Sequence, residues 1–165
     1  MAHKTLVNGT AYEIGGGKTL VNGTAYSIDK GKTLVGGTAY EIGFGPSVAV
    51  VTLTSSSFSG DYDNATATIN GVNYRDGDVG YGTNIVLEVP IGTEITCSAI
   101  CGAYSGMYYG GKIYKNETIV VDGASTKEMG YYTYTFIVTG DVTIDLQSKR
   151  MGYYVKYGEV HITEQ

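Results

Sequence analysis

The side chains able to do chemistry are few and poorly spaced for it. Two histidines, His3 and His161, stand near opposite ends of the 165-residue chain, so a Ser/His/Asp relay has almost no material to use. Gly17-Lys18-Thr19 and Gly31-Lys32-Thr33 look like the tail of a phosphate-binding loop. The glycine required six residues before each lysine is Tyr12 or Tyr26, and no helical pattern follows, so a phosphate cradle is not expected. As metal ligands, Cys97 and Cys101 would supply half a site with no histidine nearby. On an extended strand they lie roughly 13 Å apart, too far for a disulfide. The alternation of Ile95, Cys97 and Ala99 with Glu94, Thr96 and Ser98 makes Cys97 a buried thiol. Asp61 with Asp63 and Asp76 with Asp78 have the chemistry for calcium, but neither pair runs on into a ligand loop with a distal Glu, and Asp is an ordinary turn residue. Nothing in the spacing nominates a pair of carboxylates for glycoside hydrolysis. The expectation is a protein that is not an enzyme, with no catalytic residue, metal ligand or cofactor.

Tyrosine is the residue class with functional content, at 16 copies against no Trp. Tyr104, Tyr108 and Tyr109 fall in the Gly-rich stretch from Gly102 to Gly111, read as a long loop that presents aromatic faces to a surface glycan or a protein. Tyr131, Tyr153, Tyr154 and Tyr157 form a second group that would line a sheet edge or face. Tyr132 and Tyr134 fall on the core side of a strand, with hydroxyls at the rim. His161 reads as a solvent-exposed strand histidine. Asn-x-Thr triplets begin at Asn8, Asn22, Asn64 and Asn116 and are read as turn chemistry.

The elements that must hold these residues are strands. With 42% hydrophobic residues, 16% charged and a net charge of -5, the chain is too apolar for wholesale disorder and too acidic for nucleic-acid binding. Twenty-five Gly and two Pro mark a chain of turns and strands. No apolar run approaches membrane-spanning length, and Met-Ala-His-Lys-Thr does not open a secretory leader, so neither membrane insertion nor that export route is expected.

The dominant pattern is a 14-residue repeat: KTLVNGTAYEIGGG from Lys4, KTLVNGTAYSIDKG from Lys18 and KTLVGGTAYEIGFG from Lys32. Asn8-Gly9, Asn22-Gly23 and Gly36-Gly37 suit both positive-φ positions of a type I′ turn, so each copy reads as a hairpin. A two-residue loop sets Val7 against Thr10, Leu6 against Ala11, Thr5 against Tyr12 and Lys4 against Glu13. Lys32 and Glu41 repeat the closing ion pair, whereas Ser27 leaves Lys18 without it. A lone hairpin is marginal in water, so the copies must stack on one another, on the next domain or on another chain. The surface expected to do so carries Leu6, Val7, Tyr12, Leu20, Val21, Tyr26, Leu34, Val35 and Tyr40, three copies of one patch suited to a homo-oligomer or a symmetric lattice. The alternative is a self-contained β-meander.

From Pro46 the repeat stops. Eight to ten short strands follow without a helical period, among them Val48 to Thr54, the hairpin Ala65 to Ile69 with Val72 to Arg75 about Asn70-Gly71, and Lys112 to Lys115 with Thr118 to Asp122. The predicted fold is all-β: hairpin repeats over residues 1–45, then an immunoglobulin-like β-sandwich or related barrel over 46–165, with a boundary in Gly43 to Ser47.

The tandem KTLVNGTAYEI phrase with Gly-rich spacers resembles repeats in structural proteins of tailed bacteriophages, often set ahead of a small immunoglobulin-like domain. It covers Lys4 to Gly45, about a quarter of the chain. The resemblance implies a virion protein, assembled in the host cytoplasm with capsid or tail subunits as partners, and it brings no catalytic residues. Capsid decoration or a head fibre is the first expectation and a tail, neck or baseplate part the second. A carbohydrate-binding module or adhesin using the exposed tyrosines is the third.

Overall fold

The computed structural model describes residues 3–7, 10–14, 18–21, 24–27, 30–35, 38–43, 48–57, 63–152 and 155–165, with backbone alone described before residue 48. The turn dipeptides of the repeats, the junction after Gly43, Asp61, Tyr153 and Tyr154 lie outside the described residues, as do the side chains of the nine residues expected at the assembly surface. The chain divides into two units, Met1–Ser47 and Val48–Gln165.

The described residues of the first unit form three two-stranded antiparallel sheets: β1 (His3–Val7) with β2 (Thr10–Ile14), β3 (Lys18–Val21) with β4 (Thr24–Ser27), and β5 (Lys30–Val35) with β6 (Thr38–Gly43). Their registers repeat: Val7 pairs with Thr10, Val21 with Thr24 and Val35 with Thr38. Equal backbone pairing follows from equal sequence.

In the second unit the described residues form two sheets. One runs β10 (Asn84–Pro90), β7 (Val48–Ser55), β16 (Val142–Met151), β17 (Val155–Glu164), β13 (Lys112–Lys115) and β14 (Thr118–Asp122). The pairings β7/β16 and β13/β17 are parallel and the other three antiparallel. The other sheet has β11 (Glu94–Tyr104) at its centre, with β8 (Ala65–Ile69) and then β9 (Val72–Arg75) beside it. β15 (Gly130–Ile137) also pairs with β11, and β12 (Met107–Gly110) pairs with its far end.

Period-two alternation drives this arrangement, because the central strands of both sheets turn a row of apolar residues to one side. Val51 and Leu53 of β7, Ile144 and Leu146 of β16, Val160 and Ile162 of β17 and Ile113 of β13 meet Ala67, Ile69, Ile95, Cys97, Ala99 and Phe136 of the other sheet in one buried cluster. The sheets come together at Gly158, where a Cβ would lie 1.8 Å from the Asn64 carbonyl oxygen. Only glycine fits that crossing.

Three findings depart from the sequence reading. The stretch 102–111 is a hairpin, not a long loop: Ser105 and Gly106 turn it with φ of 49° and 79°, and Tyr104 pairs with Met107. Its glycines serve close approach; a Cβ on Gly110 would sit 2.5 Å from the Tyr157 ring, and one on Gly111 2.8 Å from Cys101 Cβ. Two helical turns, α1 (Asp76–Val79) and α2 (Gly123–Thr126), were not predicted, since four residues carry no readable period. The described residues of this unit also carry eleven strands where eight to ten were expected.

Candidate functional site

The two sheets turn outward faces of different chemistry to solvent. On the outer face of the six-stranded sheet, hydroxyl, amide and charged side chains bond to one another. Asp145 accepts from Thr54 Oγ1 at 3.0 Å, Ser56 Oγ at 2.7 Å and Gln147 Nε2 at 2.6 Å. Lys149 pairs with Glu159 on this face, whereas the Lys115–Glu164 pair, at 2.9 Å, lies on the inner side of the sheet, where the Lys115 ammonium sits 5.4 Å from the centroid of the Phe136 ring. His161 stacks on Tyr114 with ring centroids 4.3 Å apart and planes 7° from parallel. Its Nε2, closed to solvent, lies 3.8 Å from Glu159 Oε2. The histidine expected to be solvent-exposed is thus half-buried, because the register sets it directly opposite Tyr114.

The five-stranded sheet turns out short hydroxyl side chains in two rows. Register places Asn73, Thr68, Thr96 and Thr135 abreast across four strands, and Arg75, Thr66, Ser98 and Thr133 abreast in the next row. Thr68 Oγ1 donates to Asn73 Oδ1 at 3.1 Å, and the Thr96 and Thr135 hydroxyls share a hydrogen bond at 2.9 Å. Longer side chains rise at the margins. On one side Arg75 Nη1 meets Asp63 Oδ1 at 3.3 Å and Oδ2 at 3.4 Å. On the other Tyr131, opposite Ile100, is 63% exposed. Low floor and raised margins make a concavity of about 380 Å³ lined by Asp63, Thr66, Asn73, Arg75, Ser98 and Tyr131. A second, more apolar hollow of about 450 Å³ involves Ile100, Cys101, Met129, Val155 and Lys156.

The residues predicted for ligand contact are placed differently. Tyr104 and Tyr109 share one face of the β11–β12 hairpin and Tyr108 takes the other, since neighbouring strand residues point to opposite sides. Tyr104 is exposed, while Tyr109 packs 6.1 Å from the Tyr157 ring. The three do not form one platform. Tyr132 and Tyr134 are half-buried, and Tyr132 Oη donates to the Glu128 carbonyl at 3.1 Å. Sequence reasoning missed the floor of the concavity. The signal was there: Ala65-Thr-Ala-Thr-Ile69 and Ile95-Thr-Cys-Ser-Ala99 each put hydroxyls on every second residue.

The acidic and thiol groups have other roles. Asp78 Oδ2 accepts from the Arg75 N–H at 3.0 Å and starts α1. Asp76 is fully buried, accepts from Ser57 Oγ at 3.0 Å through Oδ2, and has no hydrogen-bond partner for Oδ1 among the described residues. Burial raises its pKa above the usual carboxylate value, against the lowering effect of the serine hydroxyls. Cys97 and Cys101 are free and buried. Loss of solvation pushes the Cys97 thiol up to about 12 and raises Cys101 too, which keeps both as unreactive thiols near neutrality. Among the described residues no group of three or more His, Cys, Asp or Glu is arranged to hold a metal, and no helix is long and apolar enough to cross a membrane.

No family model, curated protein or solved structure matches this chain.

Proposed function

We propose that this is a non-enzymatic accessory structural protein of a tailed-phage virion, in which the repeats anchor or oligomerise and the unit from Val48 onward is an immunoglobulin-like sandwich on display. The observation that carries this reading is the threefold recurrence of one two-stranded sheet in one register. Two strands alone are marginal in water, so each copy needs a neighbour, and three equal copies suit a partner that is itself repeated or symmetric. Leu6, Val7 and Tyr12, with their equivalents in the second and third copies, are the proposed contacts to capsid or tail subunits. Capsid decoration or a head fibre is preferred to a tail, neck or baseplate position, because one displayed domain on a short anchor suits a decorated surface. The saturated charges around Asp145 and the packed ring of His161 support a structural role over a catalytic one.

Light scattering tests the proposal. The full chain should form a trimer or larger assembly, or co-sediment with virion particles, while a chain starting at Pro46 stays monomeric and unbound. A full chain that is monomeric and fails to co-sediment would remove the assembly role.

A further inference from the structure

We infer that the concavity on the outer face of the five-stranded sheet binds a neutral saccharide of one or two rings, stacked against Tyr131 and hydrogen-bonded to the Thr66–Ser98 floor and to Asp63, Asn73 and Arg75. This site is independent of the repeats and separate from the Tyr104 hairpin.

The shape comes from side-chain length. Thr66 and Ser98 are directly paired on adjacent strands, so the floor is two short hydroxyl side chains wide. Arg75 on β9 and Tyr131 on β15 flank it across three strand spacings, about 14 Å at the usual separation. A volume of about 380 Å³ falls at the lower end of the range for small-molecule sites, about 300–1,000 Å³.

The chemistry selects the ligand. Ser and Thr hydroxyls both donate and accept, as the hydroxyls of a sugar do, so either group can adapt to the other. Asp63 adds an acceptor, Arg75 a fork of donors, and Asn73 both kinds of group. Since Asp63 and Arg75 lie 3.3 Å apart and cancel each other's charge, no unpaired charge stands among the described residues that line the site. That favours a neutral polyol over a nucleotide or anionic lipid. Tyr131 exposes its ring at the margin, where its face can take the C–H side of a pyranose while its hydroxyl stays wet.

The test is amide-shift NMR on the full chain titrated with glucose, galactose, mannose, N-acetylglucosamine, maltose, cellobiose and lactose. Each is taken to about 10 mM, tenfold above a millimolar Kd. At least one sugar is expected to give saturable shifts centred on Thr66, Asn73, Ser98 and Tyr131. Tyr131→Ala should weaken that binding about tenfold or more with Tm unchanged, whereas Tyr131→Phe and Tyr104→Ala should leave Kd within about twofold. Absence of saturable shifts from all seven sugars overturns the assignment. So does binding that Tyr131→Ala leaves intact, or inorganic phosphate that binds at these residues more tightly than any sugar.

Discussion

The outer faces of the two sheets are built by the same rule and do opposite things with it. In both, most outward residues of the central strands are polar. On the six-stranded sheet a shared carboxylate and an ion pair take up those groups: Thr54, Ser56 and Gln147 donate to Asp145, Lys149 pairs with Glu159, and the His161 ring stacks on Tyr114. On the five-stranded sheet they are short hydroxyls with capacity to spare, between a charge-neutral ion pair and an exposed tyrosine. A face whose groups satisfy each other contributes to stability, and a face whose groups remain open offers binding. The difference lies in the charged groups set among the hydroxyls, since Thr54 and Ser56 are as short as Thr66 and Ser98.

The largest disturbance is one that both faces share. Gly158→Ala places a Cβ into the Asn64 carbonyl, and neither backbone can yield without parting the sheets. A cost of about 3 kcal/mol is expected, at the upper end of overpacking effects, read as a lower denaturation midpoint with unchanged m-value. Next comes the charged face alone. Asp145→Ala strips the shared acceptor from half-buried Thr54 and Gln147 and exposed Ser56 and should cost about 1–2 kcal/mol, since two half-buried donors lose a charged partner. Sugar binding on the other sheet should not change. If Asp145→Ala weakened it, the two faces would not be separable.

Between the faces sits one buried group with a pH signature. Asp76 has its folded-state pKa raised by burial, so it holds its proton more tightly in the folded chain than in the unfolded one. Its favourable contribution is therefore complete below the unfolded value near 3.8 and fades as pH rises through the higher folded value. Asp76→Asn, which keeps the shape without the ionisation, should flatten that part of the profile, so that its Tm gains on the parent's between pH 4 and pH 7. Thermal melts of both proteins across this range supply the check. A wild-type contribution that grew with pH would show that the carboxylate is paired in the folded state.

How much of this was legible depended on whether a feature is local. Asn70-Gly71 gave the β8–β9 hairpin to the residue, because positive φ at both positions is encoded in those two side chains. The buried row Ile95, Cys97, Ala99 followed from alternation alone. The 102–111 segment was misread because glycine has two uses: its freedom to turn suggested a loop, while Gly110 and Gly111 are there to let Tyr157 and Cys101 come close. The concavity was out of reach for another reason. Thr66, Ser98, Arg75 and Tyr131 come from four strands, and only register sets the first three abreast with Tyr131 one row away. The placement of His161 opposite Tyr114 likewise depends on a parallel pairing that no local pattern announces.

The smallest expected effect is the most discriminating. Thr96 and Thr135 share a hydrogen bond at 2.9 Å on the hydroxyl face, one row from the floor of the concavity. Replacing both by Val removes donor and acceptor together, leaves no orphaned partner, and keeps a β-branched side chain on each strand, a change that is commonly close to neutral. The double variant should stay within about 0.5 kcal/mol of the parent, the low part of the range for cross-strand pairs. Its sugar affinity should hold within about twofold, since neither residue lines the site. Chemical denaturation and the same NMR titration read both quantities. A loss well above 1 kcal/mol would mean that the hydroxyls of this face are tied into the fold as firmly as those around Asp145, and the capacity assigned to them for a ligand would be gone.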